Sequence, residues 1–282
     1  MLPENLFSDI AANTRHHARE SAFYRRLDTE VKRAFAEARP AFESGQAVQL
    51  AELGPVILPY EKMGAIDSID LFGLDELIMF AYYHRNRGQY QRAVDIGANL
   101  GLHSILMAKS GWKVESYEPD PQHLEKLKRN LRLNAVSTCH PHMAAVSDRK
   151  GKTKFVRVLG NTTSSHVFGA KPNPYGALEY FDVEVDDIRE IASRTDFMKI
   201  DAEGHEAVIL KAVPPAAWQR VDAFVEIGSP ENARAVFEHF KGGPANLFAQ
   251  KRGWEKVRSL EDMPASYKEG GIFVSAKTSM PW

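Results

Sequence analysis

The chain has 282 residues, 44% hydrophobic and 26% charged, close to the average for globular domains and long enough to bury a large core. Lys and Arg number 36 against 37 Asp and Glu, a net charge of -1. That balance gives no one-signed surface for nucleic acid or anionic lipid and favours a small-molecule partner.

Residues 1 to about 45 are polar, and Phe23, Leu27, Val31 and Phe35 stand at helical spacing, which predicts a helix stopping near Pro40. The first twenty residues carry charge where a signal peptide needs an apolar core, and no run reaches the ~20 apolar residues of a membrane span. A cytoplasmic protein without membrane contact is expected. Residues 47–60 look extended on either side of Gly54-Pro55. The segment IDSIDLFGLDELIMFAYYHRN, from Ile66, ends with the apolar density of a buried helix. Residues 1–65 are taken as a mostly helical N-terminal cap and 66–282 as the main domain.

From Tyr90 strands and helices alternate, the signature of a doubly wound α/β sheet. RAVDIG (92–97) is a strand and LGLHSILMAKSG (100–111) a helix. KVESYEPD (113–120) is the next strand, and the helix at 121–134 carries Pro121 in its first turn. TCHPHMAAVSD (138–148) is read as one third strand. Its Cys139 lies near His140 and His142, but with no second thiol it reads as an ordinary thiol and excludes an internal disulfide. KTKFVRVL (152–159) and EYFDVEVDDI (179–188) flank a Gly/Asn/Pro-rich loop as a hairpin. DFMKID (196–201) and VDAFVEIG (221–228) are further core strands, each followed by a helix. GWEKVRSL (253–260) and GIFVSAK (271–277) form a closing antiparallel pair.

The densest signal is Val94-Asp95-Ile96-Gly97-Ala98-Asn99-Leu100-Gly101, a strand running through a glycine turn into a helix. Ligands of open α/β sheets bind beyond the carboxyl ends of the strands, and glycine lets the backbone come close to them. The spacing is G-x-x-x-G, not the G-x-G-x-x-G of dinucleotide sites. Glu118, 21 positions after Gly97 at the end of the next strand, is placed to accept hydrogen bonds from ribose hydroxyls. Alone it would pass for a helix-start carboxylate.

These blocks, D-x-G-A-N-x-G, E-P-D, a helix ending N-L-x-L-N and then K-I-D-A-E-G-H-E, resemble the FkbM family of S-adenosylmethionine-dependent methyltransferases over roughly residues 66–277. The resemblance implies a Rossmann-like, seven-stranded class I methyltransferase sheet, and methylation of a hydroxyl on a sugar or secondary metabolite. It assigns Asp95, Gly97, Asn99 and Gly101 to the cofactor loop, with Asp95 toward the methionine portion. Glu118 falls to the ribose, Pro119 and Asp120 to the adenine side, and Ala144 and Ala145 to the adenine edge.

At the acceptor end, Lys199-Ile200-Asp201-Ala202-Glu203-Gly204-His205-Glu206 places several titratable groups after a strand. Asp201 lies at the strand tip and also counts toward the cofactor. His205 is the preferred base, because its ordinary pKa lies near neutrality. Glu203 is the third catalytic candidate, although a first helical turn favours carboxylates whatever their function. Asn161, Ser164, His166 and Tyr175, on the polar loop, are candidate acceptor contacts. Glu226 paired with Asp201 suggests a divalent cation, but two carboxylates are thin grounds and no metal is expected. The competing readings are a nicotinamide-dependent oxidoreductase on a similar sheet and a domain that binds the cofactor without catalysis. Acceptor identity stays open, as does whether the cap covers the acceptor or pairs subunits into a homo-oligomer.

Overall fold

The chain opens with α1 (Leu6–Ala12) and the long α2 (Ala22–Glu43), then a small ribbon of β1 (Val48–Gln49) and β2 (Pro55–Val56), and α3 (Leu74–Arg85). The computed structural model describes residues 2–282 apart from 172, 173 and 175. Pro40 does not stop α2, which runs on to Glu43. Phe42 is buried against Phe35 and Phe72, with ring centroids 6.2 and 5.3 Å away, and this packing holds the last turn. A proline this near a helix end breaks little of the hydrogen-bond ladder.

The alternating segment follows as β3 (Arg92–Ile96), α4 (Leu102–Lys109), β4 (Lys113–Tyr117), α5 (Pro121–Leu133) and β5 (Cys139–His142). Four strands then leave the main sheet: β6 (Ala144–Ser147), β7 (Gly151–Val158), β8 (His166–Val167) and β9 (Leu178–Asp187). After α6 (Ile188–Ser193) the main sheet resumes with β10 (Phe197–Ile200), α7 (Glu206–Ala212), β11 (Asp222–Val225) and α8 (Pro230–Phe240). It closes with β12 (Asn246–Ala249), β13 (Glu255–Lys256) and β14 (Ile272–Ser275).

The main sheet has the order β13-β12-β14-β11-β10-β3-β4-β5. The five strands from β11 to β5 are mutually parallel, and β14 enters antiparallel between β11 and β12. This is a Rossmann-like α/β sheet whose order reverses between β3 and β10, with a two-residue edge strand, β13, beyond the seven expected. Side chains alternate between two cores. Ala93, Phe197 and Phe224 pack under α1 to α5, and Val94, Met198, Ala223 and Val225 pack under α6 to α8. No helix among the described residues is long and apolar enough to cross a membrane.

Two strand assignments change. The run 138–148 is broken at exposed Met143, so β5 closes the edge of the main sheet while Ala144 and Ala145 open β6 in the second sheet, beside β9. Pro141 sits comfortably on β5 because an edge strand has no outer partner for the missing N–H. The partner of β14 is β12, whose Leu247, Phe248 and Ala249 are all buried; GWEKVRSL supplies only β13 outside it. The hairpin of β7 with β9 forms as expected, and β8 adds to its far side.

One buried ion pair ties the second sheet to the first. Arg157 on β7 donates from Nε and Nη2 to Asp120, at 2.6 and 2.7 Å, and the guanidinium lies 4.8 Å over the Phe181 ring. Both residues are buried, so losing one partner strands the other charge. Arg157→Ala is expected to lower unfolding stability in urea by about 3–5 kcal/mol, and a combined Arg157→Met, Asp120→Asn variant should recover part of that loss.

Candidate active site

The loop after β3 is shaped by a near-collision. Gly97 has φ +76°, and a Cβ there would stand 1.8 Å from the Asp201 carbonyl oxygen, so only glycine lets the tips of β3 and β10 meet. Gly101 has φ +84°, and a Cβ there would press on Leu127 of α5 at 2.8 Å. Asn99 between them is also left-handed, at φ +49°.

Glu118 locks this loop from the neighbouring strand. Its Oε2 accepts the Asn99 N–H at 2.8 Å, and its Oε1 accepts the Asp120 N–H at 2.9 Å. Burial pushes its pKa up to about 7, against the two hydrogen bonds. Pro119 continues the chain into α5, and Asp120 caps that helix through the Gln122 N–H at 2.8 Å. The Asp120 carboxylate is therefore engaged by Arg157 and the helix cap. The Asn99 Oδ1 atom is buried without a partner among the described residues.

Asp95 lies on the face of β3 that packs under α4. Its Oδ2 accepts from Ser104 Oγ at 2.6 Å, and the chain of contacts continues through Ser116 to Cys139. The neighbouring position on β10, in register with Asp95, is Lys199. Its ammonium donates to the Gly97 carbonyl and to Asp201 Oδ2, each at 3.3 Å, and lies 3.7 Å from Asp95 Oδ1. Residues 95, 199 and 201 follow the alternation of Ala93 and Phe197, and Glu226 that of Phe224, so all four share one face at the carboxyl ends of the strands.

The charges of this group divide. Burial opposes ionisation of Asp201, but the Lys199 ammonium and a hydrogen bond from Glu226 together hold the carboxyl below its usual range. Glu226 is driven well above, first by the Asp201 charge and then by burial. Glu203 is raised to about 7 by burial and by Asp201, despite its ion pair with Lys171. Lys171 also approaches the Ser164 carbonyl at 3.5 Å, and Gly204, at φ +104°, passes under Ala170. Ala170 and Lys171, after β8, thus lie against the turn that follows β10.

His205 does not join the carboxylates. It stands just before α7 with Nε2 2.8 Å from Ser147 Oγ, and burial lowers its pKa. Asn161 Nδ2 donates to Ser164 Oγ at 3.0 Å, and buried His166 Nδ1 is 2.9 Å from the Ser164 carbonyl, so these three residues brace their own loop. Tyr175 lies outside the described residues. Ala144 and Ala145 are buried at the start of β6. Lys199 was legible as lying two positions from Asp201 on a strand, hence on the same side, but its contacts with Gly97 and Asp95 cross between strands. Arg157 and Lys171 had no signal, because their partners are distant in sequence.

With this geometry in place, comparison with known proteins is decisive. A family model described as the methyltransferase FkbM domain matches residues 95–268. The chain belongs to this family. A relative, methyltransferase sdnD of Sordaria araneosa, is 29% identical over 186 residues, covering 51% of this chain and 69% of that protein. Among solved structures, WbdD aligns with TM-score 0.40 and 11% identity over 72% of this chain, which spans 40% of that one. Precorrin-6y C5,15-methyltransferase from Geobacter metallireducens aligns with TM-score 0.39 and 11% identity, covering 69% of this chain and 84% of that one.

Glu118 also gives the candidate site a pH signature. Glu118 binds its proton more tightly folded than unfolded, so it contributes stability below the ordinary carboxyl value of 4.5 that is lost as pH rises through about 7. Glu118→Gln should therefore lose less stability than the wild type between pH 5 and pH 8, measured by urea unfolding at each pH; identical losses would remove the assigned shift.

Proposed function

We propose that this methyltransferase uses S-adenosylmethionine to methylate a hydroxyl of a sugar or other small hydroxylated metabolite. The observation that carries this reading is the Glu118 carboxylate hydrogen-bonded to the Gly97–Gly101 loop. The residues present fit the cofactor. Glu118 is an acceptor for ribose hydroxyls, the buried unpartnered Asn99 Oδ1 is an acceptor awaiting a donor, and Gly97 keeps the loop free of side-chain bulk. Asp95, Gly97, Asn99, Gly101 and Glu118 would hold it, with Pro119, Asp120, Ala144 and Ala145 shaping the adenine side. When bound, the cofactor supplies a methyl group on a sulfonium.

The protein's own part is to orient the acceptor hydroxyl and take its proton. Asp201 is the base favoured by the geometry: it is ionised beside Lys199, at the tip of β10, against the loop. Glu226 holds its own proton next to it, so the proton released goes to Asp201 and leaves both carboxyls neutral. The loop carrying Asn161, Ser164 and His166, tied to Glu203 through Lys171, would exclude water and bound the acceptor pocket. His205, bonded to Ser147, supports the junction of α7 with β6.

Calorimetry should show binding of S-adenosylmethionine and none of NAD, with Glu118→Ala weakening the former by roughly 10- to 100-fold, as for losing one or two kcal-scale contacts. With labelled cofactor and a panel of hydroxylated acceptors, Asp201→Asn is expected to lower turnover by about 10²–10⁴-fold and His205→Ala by far less. NAD binding without a response to S-adenosylmethionine would sink the reading, and equal losses in the two variants would return the base to His205.

A further inference from the structure

The sheet face bearing Asp95, Lys199, Asp201 and Glu226 is covered by α3, which precedes the span shared with the family. Its first turn carries Glu76. Glu76 Oε2 lies 2.7 Å from His103 Nε2, and His103 Nδ1 lies 2.9 Å from the Tyr83 hydroxyl. Tyr83 is fully buried, and burial, followed by the Asp95 charge, keeps its hydroxyl protonated. A phenol donating to Nδ1 leaves the imidazole proton on Nε2, directed at the carboxylate.

His103 sits in the first turn of α4, directly after the cofactor loop, with its ring edge-on to Phe80 of α3 at 5.0 Å. The histidine side chain is only 12% exposed, whereas that of Glu76 is 33% exposed, so the ring is packed and the carboxylate is presented. Oε1 of Glu76 takes no hydrogen bond among the described residues. Glu76 and His103 thus meet where α3 and α4 come together beside the Gly97–Gly101 loop, on the face of the sheet that bears Asp95, Lys199 and Asp201. Asp201 is offset by Lys199 and Glu203 by Lys171, and Glu226 keeps its proton, whereas Glu76 pairs among the described residues with a histidine alone.

We propose that Glu76 is a specificity-determining residue of the acceptor pocket, positioned by the Tyr83–His103 chain. Its carboxylate takes an ammonium or hydroxyl donor of the acceptor and repels an acceptor that carries a carboxylate or phosphate at that place. A carboxylate with one oxygen open to a ligand selects hydrogen-bond donors, and a like charge brought against it is disfavoured. The inference rests on the methyl-transfer reading above and adds to it the electrostatic class of acceptor and the contribution of α3.

The test uses the full chain saturated with S-adenosylhomocysteine, titrated calorimetrically with glucosamine, glucose and glucuronate, which are cationic, neutral and anionic forms of one ring. The wild type should bind glucosamine or glucose at least about tenfold more tightly than glucuronate, as expected where like charges meet. Tighter glucosamine assigns the partner group as an ammonium, and equal affinities assign it as a hydroxyl. Glu76→Gln should bring glucuronate to within about threefold of glucose with the affinity for S-adenosylhomocysteine unchanged, while Glu76→Asp keeps the wild-type order. In methyl transfer, His103→Gln should raise the acceptor KM and leave kcat near the wild-type value. Glucuronate bound as tightly as glucose by the wild type, an unaltered order in Glu76→Gln, or no binding of any of the three overturns the assignment. Failure of the wild type to bind S-adenosylhomocysteine overturns the cofactor reading instead.

Discussion

The carbonyl oxygen of Asp201 occupies the place where a side chain on Gly97 would begin. That approach brings the carboxyl ends of β3 and β10 together where the sheet reverses its order, and no residue with a Cβ permits it. The rest of the site follows. With the loop drawn against β10, the Gly97 carbonyl becomes a partner for Lys199, and the Asn99 N–H turns toward Glu118 on β4. Three neighbouring strands are thereby joined through one five-residue bend, held by the protein's own hydrogen bonds.

Lys199 then sets the charge state of its surroundings. A lone buried ammonium is costly, and so are several carboxylates gathered in a cleft. Together they divide the protons unevenly: Asp201, in contact with the ammonium, stays ionised, and Glu226, facing the Asp201 charge, keeps its proton. Two chemically similar side chains acquire a proton-accepting and a proton-holding character from position alone.

The second sheet and the N-terminal helices have matching roles on either side. Arg157 draws β7 onto Asp120 and so fixes the strand-to-helix corner that carries Glu118. From the opposite side α3 buries its aromatic face, Tyr82 and Tyr83 among Phe197 and Phe224, against the sheet.

Local patterns determined much of this protein. The alternation of apolar strands with helices, the glycine bend after Asp95 and the acid at Glu118 were legible because each depends on residues close in sequence, and the motif order pointed to the family. The hairpin of β7 with β9 was legible for the same reason. What tertiary structure decided was pairing. The four-residue strand β12 is too short for periodicity to reveal, yet burial on both faces makes it the partner of β14. The split of the third strand at Met143 depends on β9, some forty residues further on, being available to receive β6. The preference for His205 rested on an isolated pKa near neutrality, whereas its bond to Ser147 and the meeting of Lys199 with Asp201 and Glu226 exist only once strands lie side by side. Spacing along a chain sets which way neighbouring side chains point, but proton affinity depends on which distant charges come within a few ångströms, and only the fold sets that.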